Sequence, residues 1–252
     1  MTKCELIQCD LFKEEFKMDN KKNFELTTET RKMFGRTLFR IKALKSFNDV
    51  KVGDLGGFVE KEENLSENAW VCDDAWVCDD ARVYGNACVY GNARIYGDAR
   101  VYGNAWVFGN ARIYGEAEIS GDAHVYGNAR IYGEAEISRN AWVYGEAEIS
   151  GDTCIDGDMK ICDAADLSNN NDYVYFKCLG SSLTFFICKD GHIHVSWDDI
   201  LWDDNNFDRS LYAFEKKVEE KLQNNKYDKY AKGYLPCIEI VKIHFGLTDD
   251  EV

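Results

Sequence analysis

Residues 92–115 read NARIYG DARVYG NAWVFG NARIYG, four successive copies of one six-residue unit. The same spacing continues in both directions. An aliphatic residue falls at every sixth position from Leu65 to Leu167, by way of Val71, Val77, Val83, Val89, Ile95, Val101, Val107 and Ile113 to Ile149, Ile155 and Ile161. Two residues before most of these stands an alanine, from Ala69 to Ala147. A period of six cannot hold one face of a 3.6-residue helix, so the pattern excludes helix. It suits a strand, in which residues two apart face the same side. Ala93 and Ile95 are then expected to point inward, and Arg94 and Tyr96 outward. Gly97 and Asp98 make the corner, glycine because it tolerates positive φ. A unit this short buries its apolar side only against its neighbours, which predicts a solenoid of parallel β-strands.

An aliphatic position followed four places later by a small residue, as Ile95 is by Ala99, resembles the hexapeptide-repeat family. The resemblance covers about 105 residues without a break. It implies a left-handed triangular β-helix, against the usual right-handed crossover. It also implies three hexads per coil, hence about six coils and a prism about 29 Å tall at the usual strand spacing. The run LFRIKALKSF, then GDLGGFVEKEENLS, then the repeats is similar to phage- and prophage-encoded members of that family, labelled acyltransferases or polymer-forming proteins. That likeness spans roughly residues 24 to 168, and such labels derive from the repeat itself.

The expected fold is therefore mainly β, with a repeat body at residues 59–168. An N-terminal cap at 1–58 is read as a short helix, then the strand TLFRIKALKSF, then a glycine-rich turn GDLGGFVE. A small α/β unit at 169–252 is read as a β-hairpin around Lys189-Asp190-Gly191, followed by amphipathic helices in SLYAFEKKVEEKL and YLPCIEIVKIHF.

The chain of 252 residues carries a formal net charge of -15. That balance disfavours direct contact with nucleic acid or an anionic membrane and favours basic partners. Of the ten cysteines, Cys72, Cys78 and Cys88 fill slots that elsewhere hold tyrosine or arginine. The opening MTKCELIQCDLFKEEF has no apolar signal core, and no apolar run approaches a membrane span. Free thiols in a reducing cytoplasm are expected, and no pair with zinc-finger spacing is present.

Residues eighteen apart should stack in columns. One face carries Trp70, Cys88, Trp106, His124, Trp142 and Lys160 beside Tyr90, Phe108, Tyr126 and Tyr144. This broad aromatic wall should be covered by a second copy, by the C-terminal unit or by a partner. The second carries Arg94, Arg112 and Arg130 beside Tyr96, Tyr114 and Tyr132, as a structural ladder of cation–π contacts or an anion site. The third runs from Arg82 and Arg100 to Glu118 and Glu136, with corner carboxylates Asp80, Asp98, Glu116, Glu134 and Asp152.

A non-enzymatic protein of phage type follows as the leading expectation. It would use Glu116, Glu118, Glu134, Glu136 and Asp152, with Trp106, Trp142 and Tyr126, to bind and inhibit a host nucleic-acid-handling or defence protein. It is expected to form a homo-oligomer and to need no cofactor. The family resemblance supplies a second expectation, a trimeric acyltransferase using acyl-CoA with His124 as general base. No acceptor-shaping loop interrupts the repeat, however. Nucleotide capture by Arg94, Arg112 and Arg130 is a third. One repeat histidine excludes the family's three-histidine metal site. His192 and His194 share a face of the predicted hairpin, but sequence places no third ligand beside them, so no metal is expected.

Overall fold

The computed structural model describes residues 22–178, 181–197, 209–225 and 228–247. The body is a parallel β-solenoid of about six turns. Its two-residue rungs stack in three sheets. One sheet runs through Trp70, Cys88, Trp106, His124, Trp142 and Lys160; the third through Arg82, Arg100, Glu118, Glu136 and Cys154. The second runs through Trp76, Arg94, Arg112, Arg130, Glu148 and Asp166 and continues into three N-terminal strands. Register is fixed at eighteen residues, Trp106 over His124 and Arg112 over Arg130.

The alternation read from the sequence holds. Each alanine from Ala75 to Ala147 and each aliphatic residue from Val71 to Leu167 is fully buried, while the residues between them face outward. Burying one valine or isoleucine contributes about 1.5–3 kcal/mol, so this column is the main source of cohesion. Polar intruders are satisfied. Thr153 fills an alanine slot and donates to Ser150 O at 2.7 Å.

Successive coils are joined by backbone. Arg94 N donates to Ala111 O, Tyr96 N to Ile113 O and Asp98 N to Gly115 O, at 2.9, 3.0 and 2.8 Å. One position per hexad, from Glu67 to Asp163, takes a φ between +56° and +74°. Glycine fills most of these corners. A Cβ on Gly103 would lie 2.9 Å from Gly121 N and 3.0 Å from Gly121 O. Two of the exceptions compensate: Asp73 and Asp79 accept hydrogen bonds from Gly91 N and Gly97 N in the next coil, at 3.0 and 3.2 Å.

The N-terminal end departs from expectation. Strand β1 (Phe24–Met33) pairs antiparallel with β2 (Arg36–Ala43). The expected helix ahead of Thr37 therefore has no place between Phe24 and Met33, and residues 1–21 lie outside the described residues. GDLGGFVE is not a turn throughout. Strand β3 (Leu55–Val59) occupies most of it and runs parallel above Trp76–Val77. Val59 stands six residues before Leu65, so the buried series begins one hexad earlier than the sequence suggested. Gly56 and Gly57 serve close approach, since a Cβ on either would lie 2.5 Å from a backbone carbonyl, Val71 O or Ala75 O. Between β3 and Leu65 the buried Asn64 accepts from Lys61 N at 3.0 Å and donates to Asp79 O and Ala81 O at 3.0 and 2.8 Å.

At the other end a three-stranded antiparallel sheet lies across the last coil: Tyr173–Cys178, Ser181–Ile187 and Ile193–Trp197. The first of these strands was not anticipated. The hairpin around Lys189-Asp190-Gly191 was. One face sends Phe186 and Cys188 into the solenoid core. The other packs Leu183, Phe185, Ile193 and Val195 on α1 (Leu211–Asn224) and α2 (Lys229–Phe245). Both helices were expected, although α2 starts earlier and holds Pro236 inside it. Ser210 caps α1 by accepting from Ala213 N at 3.2 Å. Among the described residues no helix is long and apolar enough to cross a membrane.

The corner geometry predicts a contrast between two glycine variants. Gly103→Ala meets both the positive-φ penalty, about 1–2 kcal/mol, and the backbone of the next coil. Gly157→Ala meets the φ penalty alone, because nothing lies within 4 Å of its Cβ position. Thermal unfolding followed by circular dichroism should show the larger loss for Gly103→Ala. Equal losses would mean that coil spacing is not the constraint.

Candidate functional site

Side chains repeated every eighteen residues form outward ladders. Tyr96, Tyr114 and Tyr132 stack with ring centroids 5.0 and 4.9 Å apart, nearly coplanar. Tyr90, Phe108, Tyr126 and Tyr144 do the same. Asn68, Asn86 and Asn104 each donate from the side-chain amide to the next residue down their corner, to the carbonyl oxygens of Asn86 and Asn104 and finally to the carboxylate of Asp122, at 3.3, 3.1 and 2.9 Å.

Against that background the second face is unusual at its upper end. The tip of the β1–β2 hairpin stands beside it and encloses a cleft of about 390 Å³ lined by Phe34, Trp76, Tyr96, Arg94 and Arg112. Arg36 closes one edge. It holds both carboxylate oxygens of Glu60 at 3.1 Å and also pairs with Asp79. Its guanidinium pKa is raised, chiefly by the Glu60 hydrogen bond. Cys78 lies at the base, its thiol pushed up to about 12, first by burial and then by Asp79.

Arg94 and Arg112 have no carboxylate partner among the described residues. The guanidinium of Arg94 lies 5.9 Å from the centre of the Trp76 ring. This corrects the expected arginine–tyrosine ladder: the tyrosines stack on one another, and the cation–π contact is to tryptophan. Two guanidiniums on adjacent rungs repel by about 0.9 kcal/mol in water, which leaves the pair receptive to an anion. Arg130 is separate. It sits 3.9 Å from Glu148, which also pairs with Lys189 at 3.3 Å and accepts from Tyr132 at 3.0 Å. The three arginines grouped by sequence are thus two available cations and one engaged one. A second, more polar cleft of about 270 Å³ reaches from Arg112 to Arg130 and Lys189.

Phe34 is the residue that sequence reading missed. It is 80% exposed and takes φ +49°, ahead of Gly35 at +81°. A bulky side chain in this region is strained. Its ring stands 6.2 Å from Trp76 across the cleft mouth. The available signal was the FG pair between two alternating runs.

The other candidates lie elsewhere. His124 is stacked between Trp106 and Trp142, at 5.9 and 4.6 Å, and its Nδ1 meets Asp122 O at 2.9 Å. The hexads run past it without an inserted loop. Trp106 and Trp142 are 45% and 38% exposed. Among the described residues the C-terminal sheet meets this face at its foot, where Lys160 N donates to Thr184 Oγ1 at 3.4 Å. Of the aromatic wall, Trp106 and Trp142 are exposed, whereas Tyr90, Phe108, Tyr126 and Tyr144 are half-buried. On the third face Glu118 is bound to Arg100 at 2.6 Å, and Glu136 is its neighbour one rung below. Glu116, Glu134 and Asp152 are exposed at the adjoining corner. Asp80 heads that corner and pairs with Lys61, at 2.7 Å.

Comparison with protein families gives a match over part of the repeat. It is to the YdcK β-solenoid repeat, over residues 81–94 and 93–109. The matched rungs include Arg82, Cys88, Arg94, Arg100 and Trp106, and the match agrees with the observed coil. Comparison with curated proteins finds no match.

The exposed Phe34 ring supports a prediction about its role. Phe34→Asn places a residue tolerant of positive φ in the turn, so the apparent Tm should be unchanged or raised. A clear fall would show that the ring serves the fold.

Proposed function

We propose that this chain is a non-catalytic binding protein that holds a nucleotide-class ligand, anionic at one end and planar at the other, between the β1–β2 tip and the second face. One observation carries the reading. In a chain with a net charge of -15, two neighbouring guanidiniums line a cleft without a carboxylate partner among the described residues. Paired acceptor oxygens on a phosphate match guanidinium donors, while the exposed ring of Phe34 supplies a face for a base. The six-residue spacing and the flanking motifs support placing the chain with hexapeptide-repeat proteins of phage type, with a left-handed coil. For such a protein, sequestering a small signalling or substrate nucleotide needs no catalytic group. His124 stays outside this reading because its ring is taken up in a stack.

Calorimetry with a panel of mono-, di- and cyclic nucleotides tests the proposal. At least one should bind, and Arg94→Ala with Arg112→Ala should weaken it by more than tenfold, about 1.4 kcal/mol. Phe34→Asn should weaken it less. Arg130→Ala should leave it nearly unchanged. Silence across the panel would overturn the reading.

The exposed corner of Glu116, Glu134 and Asp152, with Glu136 beside it, favours a second reading. A basic macromolecule, such as a host nucleic-acid-handling protein, would dock there; Trp106, Trp142 and Tyr126 lie on the first face, across the prism from this corner, and take no part in that contact. Lysine at 116, 134 and 136 should then abolish recovery of that protein from a bacterial lysate. Undiminished recovery by the triple variant would exclude the acidic corner.

A further inference from the structure

The hairpin that closes the C-terminal sheet carries a cluster unrelated to the cleft. Phe186 pairs with His194 across it, and Cys188 N donates to His192 O at 2.9 Å. Residues at these alternate positions share one face of the hairpin. That face is turned toward the last coil, because Phe186 and Cys188 enter its core. Asp190 lies in the turn between. Ligand atoms of Cys188, Asp190 and His194 all lie within 4.8 Å of one another.

The surroundings mark this as more than a chance grouping. The Nδ1 of His194 is buried with no hydrogen-bond partner among the described residues. Asp163, at a corner of the solenoid, places Oδ2 3.7 Å from that Nδ1, and Asp190 places Oδ2 3.9 Å from Nε2. Both separations are too long for hydrogen bonds. The turn backbone is already held: Lys189 N donates to Ala164 O at 2.9 Å and His192 N to Asp190 Oδ1 at 3.0 Å. Burial pushes the Cys188 thiol up to about 12, with Asp190 and Asp163 adding to it. Without a cation there, the thiol keeps its proton at neutral pH.

We propose that Cys188, Asp190 and His194 bind one zinc-class divalent cation, which fastens the C-terminal hairpin to the last coil of the solenoid. The donor set selects the metal. Thiolate with imidazole suits zinc and its neighbours, whereas calcium and magnesium require oxygen. Bonds of about 2.0–2.3 Å to a tetrahedral ion would put ligand atoms roughly 3.5 Å apart, so the cluster closes by about one ångström. As the sulfur–metal bond forms, the Cys188 proton leaves to solvent. The neutral imidazole ligates through Nε2, and thiolate plus carboxylate balance the ion's two charges. Nδ1–H then donates to Asp163, the outer carboxylate that commonly orients a ligating histidine.

Cobalt titration of the full-length chain, stripped with chelator and kept reduced, tests this. One equivalent should give a near-ultraviolet thiolate-to-cobalt absorption that zinc displaces. Cys188→Ser should abolish the band, and Cys162→Ser and Cys237→Ser should keep it. His194→Ala and Asp190→Asn should each weaken cobalt binding by at least tenfold. Asp190→Asn lies in an exposed turn and reports even if the buried variants fail to fold. Zinc should raise the apparent Tm of the wild-type chain and not that of Asp190→Asn. No cobalt uptake by the folded wild-type chain, or a band that survives Cys188→Ser, would overturn the proposal.

Discussion

Coil-to-coil backbone contact at the corners is the constraint from which the rest follows. Each hexad must present an amide and a carbonyl to the coils on either side, with a left-handed residue whose Cβ position points at the next corner. Where Gly103 faces Gly121, or Gly109 faces Gly127, the space left is too small for a side chain. That contact sets the coil spacing, and the spacing in turn sets what the outward ladders can be. Planar rings and amides gain from being stacked about 5 Å apart, so tyrosine and asparagine columns cohere. Like charges at that spacing lose, so columns of arginine or glutamate are tolerated for a reason other than cohesion.

That difference separates scaffold from site. The solenoid neutralises charge where it can: Glu118 by Arg100, Glu148 by Lys189 and Arg130, Asp158 by Lys177. Arg94 and Arg112 have no such partner among the described residues. They sit where the hairpin tip adds a wall, and that tip presents a phenylalanine in a conformation better suited to glycine or asparagine. On the proposed reading, the strain at Phe34 and the unpaired charge of Arg94 and Arg112 both serve binding in the cleft.

Periodicity made the body legible. Alternation and the glycine corner fixed which side of each rung is buried, and the eighteen-residue register fixed which residues are neighbours. What periodicity could not reveal lies where the chain breaks it. Gly56 and Gly57 look like a turn because paired glycines usually are one, and only the packing of β3 on Val71 and Ala75 shows that they are there for want of room. Strand Phe24–Met33 is too polar to stand out, since it is an edge strand with little to bury. The three arginines looked equivalent in sequence. The difference between Arg112 and Arg130 comes from Lys189 and Glu148, residues brought together by the closing sheet.

The C-terminal hairpin presents the same problem in another form. His192 and His194 were visible as a same-face pair, but Cys188 belongs to the opposite strand, and Asp163 lies in the body, a coil's thickness away. A solenoid that ends abruptly exposes a layer of apolar side chains and unpaired carbonyls, and a cap must satisfy both. Phe186 and Cys188 cover the apolar layer. Lys189 N and the Ser196 hydroxyl take carbonyls of the last coil. His194 contributes to neither task in the described structure, since its buried Nδ1 remains without a partner. A cap built only for closure would have an apolar residue at that position, so the imidazole facing Cys188 and Asp190 argues that the joint does something besides close.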